Sequence, residues 1–187
     1  MINRTYYFFA ILLLPFTLAK AQPRQGDYVV TLKGDTITCT FRENIWGHVT
    51  YKAIAAAKFT IVDTADIAAY HLQKNDITYR AFVLPYSHTL TFVKELEQGK
   101  ITLYLLIHNG YRTSTFYWYA KKDDQALVEI KNTRQLFGDN SKLKLNFSSL
   151  IADDQPALQL YTQQHNYSLK TLEAVIHLYN TGEILKS

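Results

Sequence analysis

The stretch Phe92-Val-Lys-Glu-Leu-Glu-Gln-Gly-Lys-Ile-Thr-Leu-Tyr-Leu105 decides the fold class. Apolar and polar side chains alternate on both sides of Gln98-Gly99, and a period of two belongs to a strand with one buried face. Glycine accepts a positive φ without steric cost, so Gln98-Gly99 reads as a two-residue hairpin turn. This register sets Glu97 against Lys100, an opposite-charge pair, with Leu96 against Ile101, Val93 against Tyr104 and Phe92 against Leu105. One face collects Phe92, Leu96, Ile101, Leu103 and Leu105. Lys94 is the exception on that face; it belongs either at a sheet edge or with its ammonium stretched to water.

Upstream, the same reasoning puts Gly34-Asp35 in another two-residue turn. Leu32 then faces Ile37, Val30 faces Cys39 and Tyr28 faces Phe41, and these six residues form one apolar face. Val29, Thr31, Lys33, Thr36, Thr38 and Thr40 take the other. A one-residue slip mixes the faces, so the pattern is expected to hold the register. Further strands are expected at 45–51, 58–62, 77–84, 113–120 and 127–131, which are rich in β-branched and aromatic residues. Segment 64–72 fits either a short helical turn capped by Thr64 or a strand carrying Ile67, Ala69 and His71.

After about residue 132 the period changes. Leu143, Phe147, Leu150 and Ile151 fall at helical spacing. Asp153-Asp154-Gln155-Pro156 ends that helix and starts another, because Asp caps and Pro is tolerated in a first turn. Ser168 caps the clearest helix. Its Leu169, Leu172, Val175, Ile176 and Tyr179 make one stripe, and Asn180-Thr-Gly182 stops it. Strands first and helices after predict an α+β fold. An N-terminal antiparallel sheet of hairpins is followed by about three C-terminal helices packed on it.

The chain opens with an export signal. Met1-Ile-Asn-Arg-Thr is positively charged, an apolar run extends from Tyr6 to Leu18, and Ala19-Lys20-Ala21 places small residues where a signal peptidase reads. The run is shorter than the roughly 20 residues of a membrane-spanning helix, and no later segment is long and apolar enough to span. No cysteine follows the cleavage site to receive a lipid. Cleavage between Ala21 and Gln22 is expected, leaving residues 22–187 as one exported domain. Loss of Arg4 and Lys20 lowers the formal charge of +4 by two. So mild a charge excludes a dedicated nucleic-acid binder. Lys131, Arg134, Lys142 and Lys144 come nearest to a basic cluster, but Asp139 interrupts them and they read as a solvated face. The single cysteine, Cys39, forms no internal disulfide. On the apolar face of its hairpin it reads as a buried, inert thiol.

Candidate chemistry is sparse. No two of the six histidines lie at the i, i+4 spacing of a zinc helix, and no metal or cofactor is called for. Ser87 and His88 are chain neighbours that point to opposite strand faces, and no glycine-flanked serine elbow exists. Asp63, Asp66, Asp153 and Asp154 read as turn and cap residues. The best binding lead is Phe116-Tyr-Trp-Tyr119. On a strand, Phe116 and Trp118 share one face and Tyr117 and Tyr119 the other. Either one pair is core while the other lines an exposed ledge, or, more plainly, both are buried between sheet and helices. An exposed pair would suit stacking on sugars or anchoring a protein. Tyr117, Trp118 and Tyr119 are therefore the ligand-binding candidates.

Several segments together carry a resemblance: Gly26-Asp-Tyr-Val-Val-Thr-Leu-Lys-Gly-Asp-Thr-Ile37, Asp66-Ile67 with Tyr70, Phe92 to Tyr104, and Leu-Tyr-Asn at 178–180. They resemble a group of functionally uncharacterised, exported, β-rich envelope proteins of the Bacteroidota. The resemblance implies the periplasm or outer membrane of a Gram-negative bacterium. It carries over no activity and no functional residue. It also marks Thr36 and Thr64, because Asp35-Thr36-Ile37 and Asp63-Thr64-Ala65 fit the signal at which such bacteria O-glycosylate exported proteins.

The expectation is a non-enzymatic envelope module that binds a protein, a glycan or an outer-membrane component. One rival is a periplasmic hydrolase with a site assembled from distant segments; a pocket holding a histidine beside a carboxylate would favour it. Another is a structural component that pairs through a free sheet edge.

Overall fold

A computed structural model describes residues 26–43, 48–134, 139–164 and 166–185. The expected signal peptide with its Ala21–Gln22 cleavage point, the start of the 45–51 strand and His165 lie outside the described residues. Ten strands pair antiparallel into one sheet. They are β1 (Tyr28–Thr31), β2 (Thr36–Glu43), β3 (Val49–Ala53), β4 (Thr60–Ile61), β5 (Ile67–Leu72), β6 (Ile77–Val83), β7 (Leu90–Glu97), β8 (Ile101–Asn109), β9 (Ser114–Lys122) and β10 (Val128–Asn132). Their order is β10-β9-β8-β7-β6-β5-β1-β2-β3-β4. The helices α1 (Ser141–Leu150), α2 (Gln155–Gln163) and α3 (Leu169–Thr181) follow. The α+β layout is the one the periodicities predict.

The helices pack on the β8–β10 end of one sheet face. Ile101, Leu103, Trp118, Ala120 and Ile130 meet Phe147, Ile151, Leu172, Val175 and Ile176 in one core. The caps act as the sequence indicates. Asp154 Oδ1 accepts from the Ala157 N–H at 2.8 Å, and Ser168 Oγ accepts from the Thr171 N–H at 3.1 Å. Gly182 ends α3 with φ 76°, where a side chain would be strained. At the other end of the same face the core is built by strands alone. The Tyr70 ring lies 5.6 Å from Phe41, 4.7 Å from Tyr79 and 5.1 Å from Phe92, beside Val29, Cys39 and Ile67.

Cys39 is buried in this strand core. Burial first, and the Asp27 carboxylate second, push its thiol up to about 11. A thiol so placed stays protonated and unreactive near neutrality. The native chain is expected to resist alkylation until it is unfolded; rapid labelling of the native state would contradict this placement. Because the folded pKa is raised, the contribution to stability is full below the ordinary value of 9.0. It is lost as pH climbs towards about 11.

Both expected hairpin registers are corrected. In the first, Val29 pairs with Ile37 and Tyr28 with Thr38. The loop is three residues, Leu32-Lys33-Gly34. The Thr31 N–H donates to the Asp35 carbonyl, the Gly34 N–H donates to the Thr31 carbonyl, and Gly34 sits at φ 89°. A three-residue loop ending in left-handed glycine is a common hairpin closure. It turns Val29 rather than Val30 onto the face of Ile37, Cys39 and Phe41, and leaves Leu32 at the surface. In the second hairpin, Lys94 pairs with Leu105 and Glu95 with Tyr104, with a bulge between Glu95 and Glu97. The bulge expels Leu96 from the expected apolar face. Lys94 lies on an interior strand between Tyr79 and Leu105, so the edge placement is excluded. Segment 64–72 resolves as β5, entered through a turn in which Asp63 Oδ1 accepts from the Ala65 N–H. The 58–62 strand shrinks to β4.

One motif pair gains a reason. Gly99 of the β7–β8 turn lies against Asn180 of α3. The Asn180 carboxamide accepts from the Ile101 N–H at 2.9 Å and donates to the Ile101 carbonyl at 2.8 Å. It satisfies both backbone groups as a paired strand residue would. It also donates to Glu97 Oε1 at 3.0 Å.

Candidate functional site

Strand alternation sends a second set of side chains to the face away from α3. On β8 and β9 these include Leu106, His108, Thr115, Tyr117 and Tyr119, and on β10 Glu129 and Asn132. Two elements rise beside them. The β6–β7 loop brings Leu84, Tyr86, Ser87 and Thr89; the start of α1 brings Lys142 and Leu143. Between them lies an open groove of about 1250 Å³. That exceeds the roughly 300–1,000 Å³ of pockets that hold one compact small molecule.

The loop is a four-residue turn closed by the Leu84 N–H to the Thr89 carbonyl and the His88 N–H to the Leu84 carbonyl, with His88 at φ 52°. It holds Tyr86 out, 54 % exposed, where the Lys142 ammonium lies 5.0 Å from its ring centre. That cation–π contact joins the two walls.

Glu129 is the electrostatic centre. It is 4 % exposed and accepts a hydrogen bond from the Asn132 amide. Burial pushes its carboxyl above the ordinary carboxylate range, while the Asn132 bond and the charges of Arg134 and Lys142 oppose the rise. Tyr119 faces it across the register. Burial, then the Glu129 carboxylate, then Tyr117 and Tyr86 raise the Tyr119 phenol, so it stays protonated as a donor. Phenols, an amide and a carboxylate thus converge over an apolar wall of Leu84, Leu106 and Leu143.

The aromatic run divides between faces. Trp118 and Phe116 belong to the helix-side core, with rings 6.0 Å apart, so Trp118 is not a groove residue. Tyr117 and Tyr119 line the groove, 6.5 Å apart, Tyr117 half-buried and Tyr119 buried. The helices do not cover this second pair. The expected basic face also divides. Arg134 and Lys142 line the groove with Asp139, whereas Lys131 and Lys144 lie over the Tyr167 ring. Thr36 and Thr64 are half-buried, on β2 and in the turn before β5. Of the capping aspartates, Asp153 instead binds Lys122 at 2.6 Å and the Tyr179 hydroxyl at 3.0 Å.

Among the described residues, the histidine–carboxylate pairs are His71 with Asp76 at 3.8 Å and His177 with Glu97 at 3.6 Å, neither in the groove. No group of three or more metal-ligating side chains gathers among the described residues. No described helix is long and apolar enough to cross a membrane. Sequence reasoning missed Glu129, Asn132 and Tyr86. Glu129 alternates with Val128 and Ile130, a pattern that marks it only as facing the other side.

No family model, curated protein or solved structure matches this chain.

Proposed function

We propose that this chain is an exported, non-enzymatic binding module of a Gram-negative envelope and that its ligand occupies the groove. The observation that carries the reading is the large open trough on the sheet face away from α3, with phenols and a buried carboxylate converging in it. The rival hydrolase draws less support, because the histidine–carboxylate pairs among the described residues stand elsewhere. Edge pairing draws less support too. The Asn146 amide and the Tyr167 hydroxyl occupy the Glu129 and Ile130 carbonyls of β10, and β4 at the opposite edge has only two residues.

Hydrogen exchange of the full chain, with and without the soluble envelope fraction of its source bacterium, tests the groove. Slowed exchange of β8, β9 and the 84–89 loop is expected, and Tyr117→Ala should reduce the slowing. Slowing confined to α3, or none, rejects the reading. Export has its own measurement. Mass spectrometry of the envelope species should find Gln22 at the amino terminus; an intact Met1 on the main species would contradict export.

A further inference from the structure

Resting on the groove reading, we infer that the occupant is an uncharged, hydroxyl-rich chain, an oligosaccharide segment, gripped through the Tyr86 and Tyr117 rings and the Glu129 carboxylate. Four observations converge. The groove is open to solvent and larger than a compact ligand needs, which suits a segment of a longer chain. Its ionic side chains balance: Arg134 and Lys142 against Glu129 and Asp139. A polyanion is recognised by a one-signed stripe, which this is not. A buried carboxylate in the lining disfavours an acyl chain, because hydrocarbon would complete the desolvation of Glu129 and offer it no hydrogen bond beyond the one from Asn132. A sugar hydroxyl donates to it instead.

The fourth observation concerns polypeptides. One recurring way to grip an extended peptide is main-chain bonding to a sheet edge. Here the groove is lined from strand faces, and the nearby β10 edge is occupied by Asn146 and Tyr167. What the groove offers is ring surface with hydrogen-bonding tips. That matches the alternating C–H faces and hydroxyls of a sugar chain.

The test uses the full chain and defined probes: maltohexaose, cellohexaose and xylohexaose by calorimetry, with polygalacturonate as the charged comparison. The same exchange measurement is made with the envelope fraction untreated, periodate-oxidised or protease-digested. Periodate cleaves vicinal diols. The expected result is saturable binding of at least one uncharged hexaose, nearly independent of salt. Groove protection should vanish after periodate and survive protease. Tyr117→Ala and Glu129→Gln should each weaken binding about tenfold. Tyr117→Phe keeps the ring and should retain most of the affinity, which separates loss of binding from loss of folding. Salt-steep binding of polygalacturonate alone, or protection lost to protease and not to periodate, overturns the sugar inference and leaves the groove reading standing. Absence of groove protection with every fraction overturns both.

Discussion

Leu172→Ala is expected to lower the free energy of unfolding by about 2–5 kcal/mol, the range of buried leucine truncations. The side chain is 0 % exposed and packs with Val175 and Ile176 in the core between α3 and the sheet. A helix of this length is marginal alone in water, so its order comes from this packing. Domains are commonly stable by about 5–15 kcal/mol, so the loss should be plain in a denaturant midpoint. If the midpoint held, and deletion of residues 168–187 left the melting temperature unchanged, α3 would be a detachable arm rather than part of the core.

Asn180→Ala is expected to cost about 2–4 kcal/mol, because it strips partners from both backbone groups of buried Ile101 and from Glu97. Gly99 enters the same account. A Cβ there would lie 2.2 Å from Asn180 Cγ. The Gly99 backbone is not among the left-handed positions, so alanine is not strained by its φ. Gly99→Ala should therefore act by displacing the carboxamide. In an Asn180→Ala background it should cost little. The double-mutant cycle is expected to show a coupling of about 1–3 kcal/mol. Additive costs would mean that Gly99 serves some purpose other than clearance.

The fold class was legible because both periodicities are long and clean. The stripe of Leu169, Leu172, Val175, Ile176 and Tyr179 has one face that packs, and Ser168 and Gly182 mark its ends by local chemistry alone. Register was not legible. Tyr28-Val29-Val30 offers a hydrophobic residue to either face, so alternation fails to choose, and the three-residue loop with Gly34 chooses instead. In the β7–β8 hairpin the deciding partner is Asn180, about eighty residues later, whose carboxamide takes Ile101 while the bulge turns Leu96 out. The pattern at 92–105 contains nothing of that contact.

The groove divides in the same way. Alternation along a strand is enough to place Tyr117 and Tyr119 on a face opposite Trp118. The caps, the helical stripe and the sheet-then-helix order are likewise legible in the sequence, all of them being local or periodic. That this face of β8–β10 lies in a groove rather than open to water is set by long-range packing. That outcome depends on the 84–89 loop and α1 meeting across it, with Tyr86 against Lys142. Whether Glu129 is a solvated surface acid or a buried carboxylate is set by what stands over it. Burial is a property of all the chain that packs nearby, and no short window of sequence contains it.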